Sequence, residues 1–314
     1  MTTGHAERAE HLPLPLPDTG TIVVGPPGDG PGYWAGAPSA ILVDGVYYLT
    51  YRLRRPIGRG RGYAVIVASS TDGENFTQLA TITRGPFGAE SLERAALAVT
   101  PQGTWRLYVS CATPDSYHWW VDVLEADSPA GFDATRRQTV LPGDARTAVK
   151  DPVIRYDGSR WHLWASCHPL EDDTATDRMD SRYATSPDGL TWTWHGVALA
   201  PRPGHWDARG VRISSVLLDG DRAVAFYDGR ASAAENWAER TGVAFGTGPG
   251  HFEAVGVEPA AQSLDADHAL RYLSVVELPG GGYRTYYEIA RPDGAHELRS
   301  QLHPASSAAD GAGR

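Results

Sequence analysis

Lys150-Asp151-Pro152-Val153-Ile154-Arg155-Tyr156-Asp157-Gly158-Ser159-Arg160-Trp161-His162-Leu163-Trp164 reads as an apolar strand, a tight Asp-Gly turn and a second strand of alternating large apolar residues. Its start sets it apart: a carboxylate followed by proline, placed where an apolar strand begins. A charge there is unfavourable unless the strand opens on a wet, functional surface. Lys150 is also the only lysine in the chain of 314 residues, where arginine supplies the other long basic side chains.

The same unit recurs on both sides. Pro38 to Val43, Asp44-Gly45 and Val46 to Tyr51 form a like hairpin, followed by strand signals at Tyr63 to Ser69 and Thr77 to Ile82. Ala95 to Thr100, Gln102-Gly103 and Thr104 to Ser110 open a second unit, which Val121 to Ala126 and Arg137 to Leu141 complete. The opening stretch is the third, continued by Ser181 to Thr185 and Thr193 to Leu199. A fourth runs through Ile213 to Leu218, Asp219-Gly220, Ala223 to Tyr227, Thr241 to Phe245 and Phe252 to Val257. The fifth has Tyr272 to Leu278, Gly280-Gly281, Tyr283 to Ile289 and Glu297 to Leu302.

The hairpin glycines Gly45, Gly103, Gly158, Gly220 and Gly281 are 58, 55, 62 and 61 residues apart. Regular four-strand units predict radial repetition: an all-β, five-bladed β-propeller with four-stranded antiparallel blades. The fifth unit holds only three strands before the polar tail. Thr21 to Val24 is therefore predicted to supply its outer strand and close the ring, leaving no open edge. One propeller domain over residues 12–303 is expected, with flexible tails at 1–11 and 304–314. An irregular β-sandwich is the competing architecture, since it too shows short strands at regular spacing.

Composition narrows the class. Apolar residues make up 41% of the chain, with 10 Trp, 14 Tyr and 6 Phe, enough for a packed core and against wholesale disorder. A net charge of −10 argues against nucleic acid or an anionic membrane as the main partner. Cys111 and Cys167 are too few for a disulfide framework and read as small core residues. The first 20 residues lack the apolar centre of a leader and no run reaches membrane-spanning length, so a cytoplasmic protein is expected.

In a propeller the innermost strands line a central channel and their starts share one rim. The repeats place Trp34, Glu90, Glu93, Arg94, Lys150, Asp151, Asp207, Arg209, Arg212, Asp267, His268 and Arg271 there. Ends of second strands add Arg52, Trp119, His168, Asp228, Arg230 and Glu288. Carboxylates, arginines and aromatics converging on one funnel are the makings of a ligand site.

Asp151-Pro152-Val153-Ile154 with Asp157-Gly158 resembles the Asp-Pro strand of the arabinanase, xylosidase and invertase-type families, and the Glu-Asp-Pro-Arg segment of the mannoside phosphorylases of glycoside hydrolase family 130. Ala37-Pro38-Ser39-Ala40-Ile41, Tyr48-Leu49-Thr50-Tyr51-Arg52 and Ala68-Ser69-Ser70-Thr71-Asp72-Gly73 are similar to segments of the family-130 first blade. The resemblance implies a five-bladed glycoside-processing enzyme, hydrolase or phosphorylase, with a divergent catalytic set. Arabinanase-like enzymes carry an Asp where this chain has Ala37 and a Glu where it has Arg212. Asp151 is the catalytic-type residue that survives.

Two chemistries fit the funnel. In one, Asp151 is a general acid, its pKa raised by burial beside Glu93 or Asp207, and Glu93 activates water. In the other, Arg52, Arg94, Arg212 and Arg271 with His268 bind phosphate or a substrate carboxylate, which suits guanidinium forks, and phosphate acts as nucleophile. Trp34 and Trp119 are candidate sugar platforms, with Asp207 and Asp228 as further substrate contacts. The insertion Asn236-Trp237-Ala238-Glu239-Arg240 is long enough to cap the funnel. The expected partner is a small carbohydrate, with phosphate as a candidate co-substrate. No cofactor and no zinc cluster are expected, although rim carboxylates leave room for a calcium ion in the channel. The alternatives are a non-catalytic carbohydrate- or metabolite-binding propeller and an enzyme repurposed for a non-sugar metabolite.

Overall fold

The structure is a computed structural model that describes residues 12–265 and 267–305. The expected tails at 1–11 and beyond residue 305 lie outside the described residues. Strands β2 (Trp34–Val43), β3 (Val46–Arg54), β4 (Gly62–Ser70) and β5 (Thr77–Thr83) form the first blade. The second comprises β6 (Ser91–Val99), β7 (Trp105–Ala112), β8 (Trp119–Ala126) and β9 (Gln138–Leu141). The third comprises β10 (Thr147–Tyr156), β11 (Trp161–Pro169), β12 (Asp180–Ser186) and β13 (Thr193–Leu199). The fourth comprises β14 (Gly210–Asp219), β15 (Arg222–Arg230), β16 (Arg240–Gly246) and β17 (Glu253–Val255).

The fifth blade takes β18 (Leu270–Glu277), β19 (Gly282–Ala290) and β20 (His296–Pro304), and β1 (Thr21–Val24) completes it. β1 runs antiparallel to β20, Thr21 opposite Ser300 and Val24 opposite Leu298. Pro304, read as the start of the tail, is the last residue of β20. The all-β propeller expected from the repeats is what the chain forms, and each hairpin glycine sits at positive φ, between 56° and 96°, where a side chain would be strained.

Five apolar clusters hold the ring, one at each seam between neighbouring blades. Val65 and Val67 of the first blade meet Leu92 and Leu107 of the second, and Trp164 of the third meets Ile213 and Tyr227 of the fourth. Cys111 and Cys167 are buried in such seams as free thiols. Backbone hydrogen bonds also cross between blades: Trp34 of β2 pairs in parallel with His296 of β20, and Met179, just before β12, bridges in parallel to Gly210 of β14. The innermost strands β2, β6, β10, β14 and β18 pack on their neighbours around the whole circle, so side-chain packing closes the ring. Among the described residues no helix is long and apolar enough to cross a membrane.

Every innermost strand carries a register shift at the same height: Gly36/Ser39, Leu92/Ala95, Lys150/Val153, Ile213/Ser215 and Arg271/Ser274. These are β-bulges, which bend a strand and re-aim a side chain. At three of them a non-glycine residue adopts the left-handed conformation: Ala37 at φ 51°, Asp151 at φ 55° and Tyr272 at φ 56°. Asp151-Pro152 therefore lies inside β10, four residues past its start at Thr147, and not at a strand opening as the sequence suggested. The proline is tolerated there because a bulge leaves its position unpaired.

Candidate active site

Where innermost strands begin and second strands end, the ring opens into a cavity of about 510 Å³. Trp34, Arg52, Glu93, Trp119, Arg212 and Arg271, all expected at the rim, line it, together with Glu90, Lys150, His168 and Arg230. Other expected residues do not. Arg94, Asp151, Asp228 and Glu288 are buried beneath its floor. Asp207 is enclosed within the fourth blade, where Arg202 Nε (2.9 Å) and the Tyr227 hydroxyl (2.7 Å) donate to it. His268 is exposed outside the cavity, its Nδ1 on the Ser263 carbonyl. Arg209 is turned away to pair with Asp177 at 2.5 Å.

Under and along the walls runs a chain of alternating charges that touches every blade. Arg52 donates to Glu93 and lies 3.8 Å from Glu288. Glu288 accepts from Arg271 at 2.7 Å, and Arg271 reaches Glu239 at 2.5 Å. Glu239 also takes Arg230 at 2.6 Å and lies 4.0 Å from Arg212. Arg212 continues to Asp228 (2.8 Å) and Asp151 (3.3 Å), and Lys150 stands 4.0 Å from Asp151. The Tyr272 ring lies at the centre of this chain, with the Arg212 guanidinium 3.7 Å from its centroid.

Gly36 makes one link possible, since a Cβ there would stand 2.0 Å from Glu288 Oε2. That carboxylate also accepts the Ala37 backbone N–H at 3.0 Å.

Electrostatics fix the protonation states. Burial alone would favour neutral forms of Glu93 and Glu239, but the guanidiniums around each outweigh it and hold both well below the usual carboxylate range. Asp228 behaves oppositely: burial, with Glu239 nearby, outweighs Arg212 and lifts it to about 6. His168 is kept neutral by burial and by Lys150 and Arg230. Its Nδ1 lies 3.1 Å from the Thr176 carbonyl, so Nδ1 carries the proton and Nε2 offers a lone pair at the cavity.

Asp151 departs from the role expected of it. It is fully buried, does not line the cavity, and is occupied by the Arg94 backbone N–H (3.2 Å), Arg212 and Lys150. A carboxyl so enclosed has no direct path for a proton to a bound substrate. Its contacts make it the anchor of Arg212 and Lys150, which do line the cavity.

Two lining groups carry no signal in the sequence, Arg54 and Arg61, and a third, Glu239, is named there only as part of the capping insertion. Arg54, at the end of β3, is 3% exposed and has no carboxylate within ion-pair distance among the described residues. Its guanidinium stacks 3.7 Å from the Trp34 ring and 5.0 Å from Trp237, and burial beside Arg52 lowers its pKa to about 9. Arg61 stands 3.5 Å from Glu93. Glu239 comes from the long fourth-blade insertion, and that loop's length was the available signal; Asn236 and Trp237 from it line the cavity too. Trp34 Nε1, Trp119 Nε1, Arg52 Nη2, Arg54 Nη1 and Arg61 Nε are buried donors without a hydrogen-bond partner among the described residues. Among those residues no group of three or more His, Cys, Asp or Glu side chains is arranged to hold a metal.

Four-stranded antiparallel blades around a central cavity give this chain the propeller fold found in glycoside hydrolases and phosphorylases. Its fold is similar to a thermostable family-43 glycoside hydrolase, with a TM-score of 0.69 and 15% identity over 90% of this chain and 92% of that one. It is also similar to a structure from the family-130 mannoside phosphorylases, described as containing glycoside hydrolases that target β-1,2-mannosidic linkages in Candida mannan (TM-score 0.59, 15% identity, 93% and 91% covered). A third is the β-1,2-mannobiose phosphorylase of Listeria innocua in complex with β-1,2-mannobiose (TM-score 0.57, 13% identity, 89% and 94% covered). No protein-family model and no curated protein sequence matches the chain. At such identities the likeness carries the fold.

Proposed function

We propose that the cavity processes a small glycoside with an oxyanion bound beside it, either phosphate as co-substrate or an acid group of the sugar itself. The observation that carries this reading is the set of buried nitrogens without a hydrogen-bond partner among the described residues, Arg52 Nη2, Arg54 Nη1, Arg61 Nε and the Trp34 and Trp119 indoles, next to two carboxylates held ionised. Guanidiniums in that setting take an oxyanion by charge-assisted hydrogen bonds, while the Trp34, Trp119 and Trp237 rings suit the flat face of a sugar. Glu93 and Glu239, being ionised, serve as acceptors or bases. Neither can serve as the proton donor, and Asp151 acts on the cavity only through Arg212 and Lys150. Lys150, whose pKa is lowered by burial, is the candidate proton donor among the lining groups.

A panel of aryl glycosides and short β-mannosides and xylosides, assayed with and without phosphate, tests this. Turnover that requires phosphate and disappears in Arg61→Met supports phosphorolysis; phosphate-independent release of reducing sugar supports hydrolysis. A second reading, a binding propeller without catalysis, is favoured by the ion pairs that already occupy Glu93, Glu239 and Asp151. Saturable sugar binding with no turnover across the panel would decide for it.

A further inference from the structure

The opposite mouth of the ring, where the innermost strands turn into their hairpins, holds a separate cavity of about 490 Å³ that shares no lining residue with the first. Arg94 forms part of its base. Its guanidinium is held by carbonyl oxygens of two other blades, Nε to Pro38 at 3.2 Å and Nη2 to Ser214 at 2.8 Å. Nη1 has no partner among the described residues, although the side chain is 2% exposed. Three serines from the bulge height also line this cavity. Ser39 Oγ accepts from Leu97 N (3.3 Å), Ser215 Oγ from Val275 N (3.2 Å) and Ser274 Oγ from Ala40 N (3.0 Å). Each oxygen is thus used as an acceptor from the adjoining blade, which leaves its proton free to be donated.

Beyond this base the walls turn aliphatic, with Ile41, Val99, Ile154 and Val276 lining the way out. At the lip Arg155 bridges the third and fifth blades, donating to Glu277 at 2.6 Å. Two guanidiniums, Arg94 and Arg155, therefore face one carboxylate, Glu277, across the lining. Asp151 and Asp228 also act on Arg94 from its other side, so the ligand is described by the unpartnered Nη1, the unused serine donors at the base and the apolar wall above them.

We propose that this rear cavity is a second binding site, for a monocarboxylate with a short apolar body. Its carboxylate lies against Arg94 and the hydroxyls of Ser39, Ser215 and Ser274, and its body against Ile41, Ile154 and Val276. A carboxylate has about four acceptor sites, which matches three hydroxyls and one guanidinium nitrogen. The site involves no bond making, and its test reads binding and not turnover, so it stands or falls apart from the glycoside reading.

Sodium octanoate is the probe, titrated into the full chain and followed by calorimetry and by tryptophan fluorescence, since Trp161 lines the same cavity. Saturable binding is expected, weakened at least about tenfold in Arg94→Met, as loss of a charge-assisted bond predicts. Arg94 also ties two blades together, so Ile154→Trp, which narrows the wall and leaves every base contact in place, is the second variant; it is expected to weaken octanoate equally. Arg61→Met, in the front cavity, is expected to leave octanoate binding unchanged. Octanoate lost in Arg61→Met but kept in Ile154→Trp would place the ligand at the front and overturn the proposal. So would a protein that answers to chloride or phosphate and not to octanoate, since the site would then be one for inorganic anions.

Discussion

Arg54 shows what the site demands of single residues. A guanidinium buried between two indoles, with no carboxylate within ion-pair distance among the described residues, is unfavourable to the fold and useful to an anionic ligand. Arg54→Met is therefore expected to melt at the same or a higher temperature in calorimetry, while affinity for phosphate or a sugar acid falls about tenfold. A large drop in melting temperature would show that the cation–π stack dominates instead. Asp228 supplies a pH signature. Folding lifts its pKa from the ordinary 3.8 to about 6, so the protonated form is the one folding favours. That stabilisation is full below about pH 4 and is lost as pH rises through about 6. Glu239 and Glu288, held low, act in the opposite sense and lose their contribution only on acidification below their ordinary 4.5. Denaturant unfolding between pH 4 and 6 should therefore lack one component of its slope in Asp228→Asn, and an unaltered slope would refute the assignment. At this scale the sequence was half legible. Arg52, Arg212 and Arg271 announce themselves at strand ends, but nothing in a sequence separates a front-facing Arg54 from the neighbouring Arg55, because that depends on which way the pleat carries each side chain.

The bulge is the element that organises the site. It occurs once in each innermost strand and sets the height at which Glu93, Asp151 and Tyr272 leave the strand. Its packing is tight enough to test at Gly36, where an added methyl group meets the Glu288 carboxylate, itself fixed by Arg271 and His296. Gly36→Ala is expected to cost about 1–3 kcal/mol by overpacking, read from denaturant midpoints. An unchanged midpoint would mean that Glu288 is free to move. The Asp-Pro pair pointed to this element without revealing it. A proline among apolar residues reads as the edge of a strand, whereas a bulge lets the strand run on past it. The fourth-blade insertion was legible as a functional loop by its length. That Glu239 would join the charge chain was not, since it requires Arg230 and Arg271 from two different blades.

At the scale of the whole molecule, stability is distributed over five seams, each needing both neighbours. The weakest in sequence terms is the last, because β1 reaches the fifth blade from the other end of the chain. Removing residues 1–24 would leave β20 an open edge beside the buried Tyr286 and Leu298. The shortened protein is expected to melt lower and to associate with concentration, which light scattering would detect; a monomer of unchanged stability would show that β1 is dispensable. This architecture was legible almost in full, because hairpin glycines at steady intervals reflect a repeated physical unit. How its seams close was not, since complementarity between blades lies in no single stretch.

Arg94 spans the middle of the ring, gripping a carbonyl of the first blade and another of the fourth. The channel is thereby a blind alley and not a tunnel. Whatever comes in by the front must go out by the front, so a leaving fragment stands in the path of the next arrival. If the proposed glycoside chemistry takes place there, a long polymer could offer only its terminus, never a segment threaded through, and turnover on such a chain would proceed by withdrawal and return.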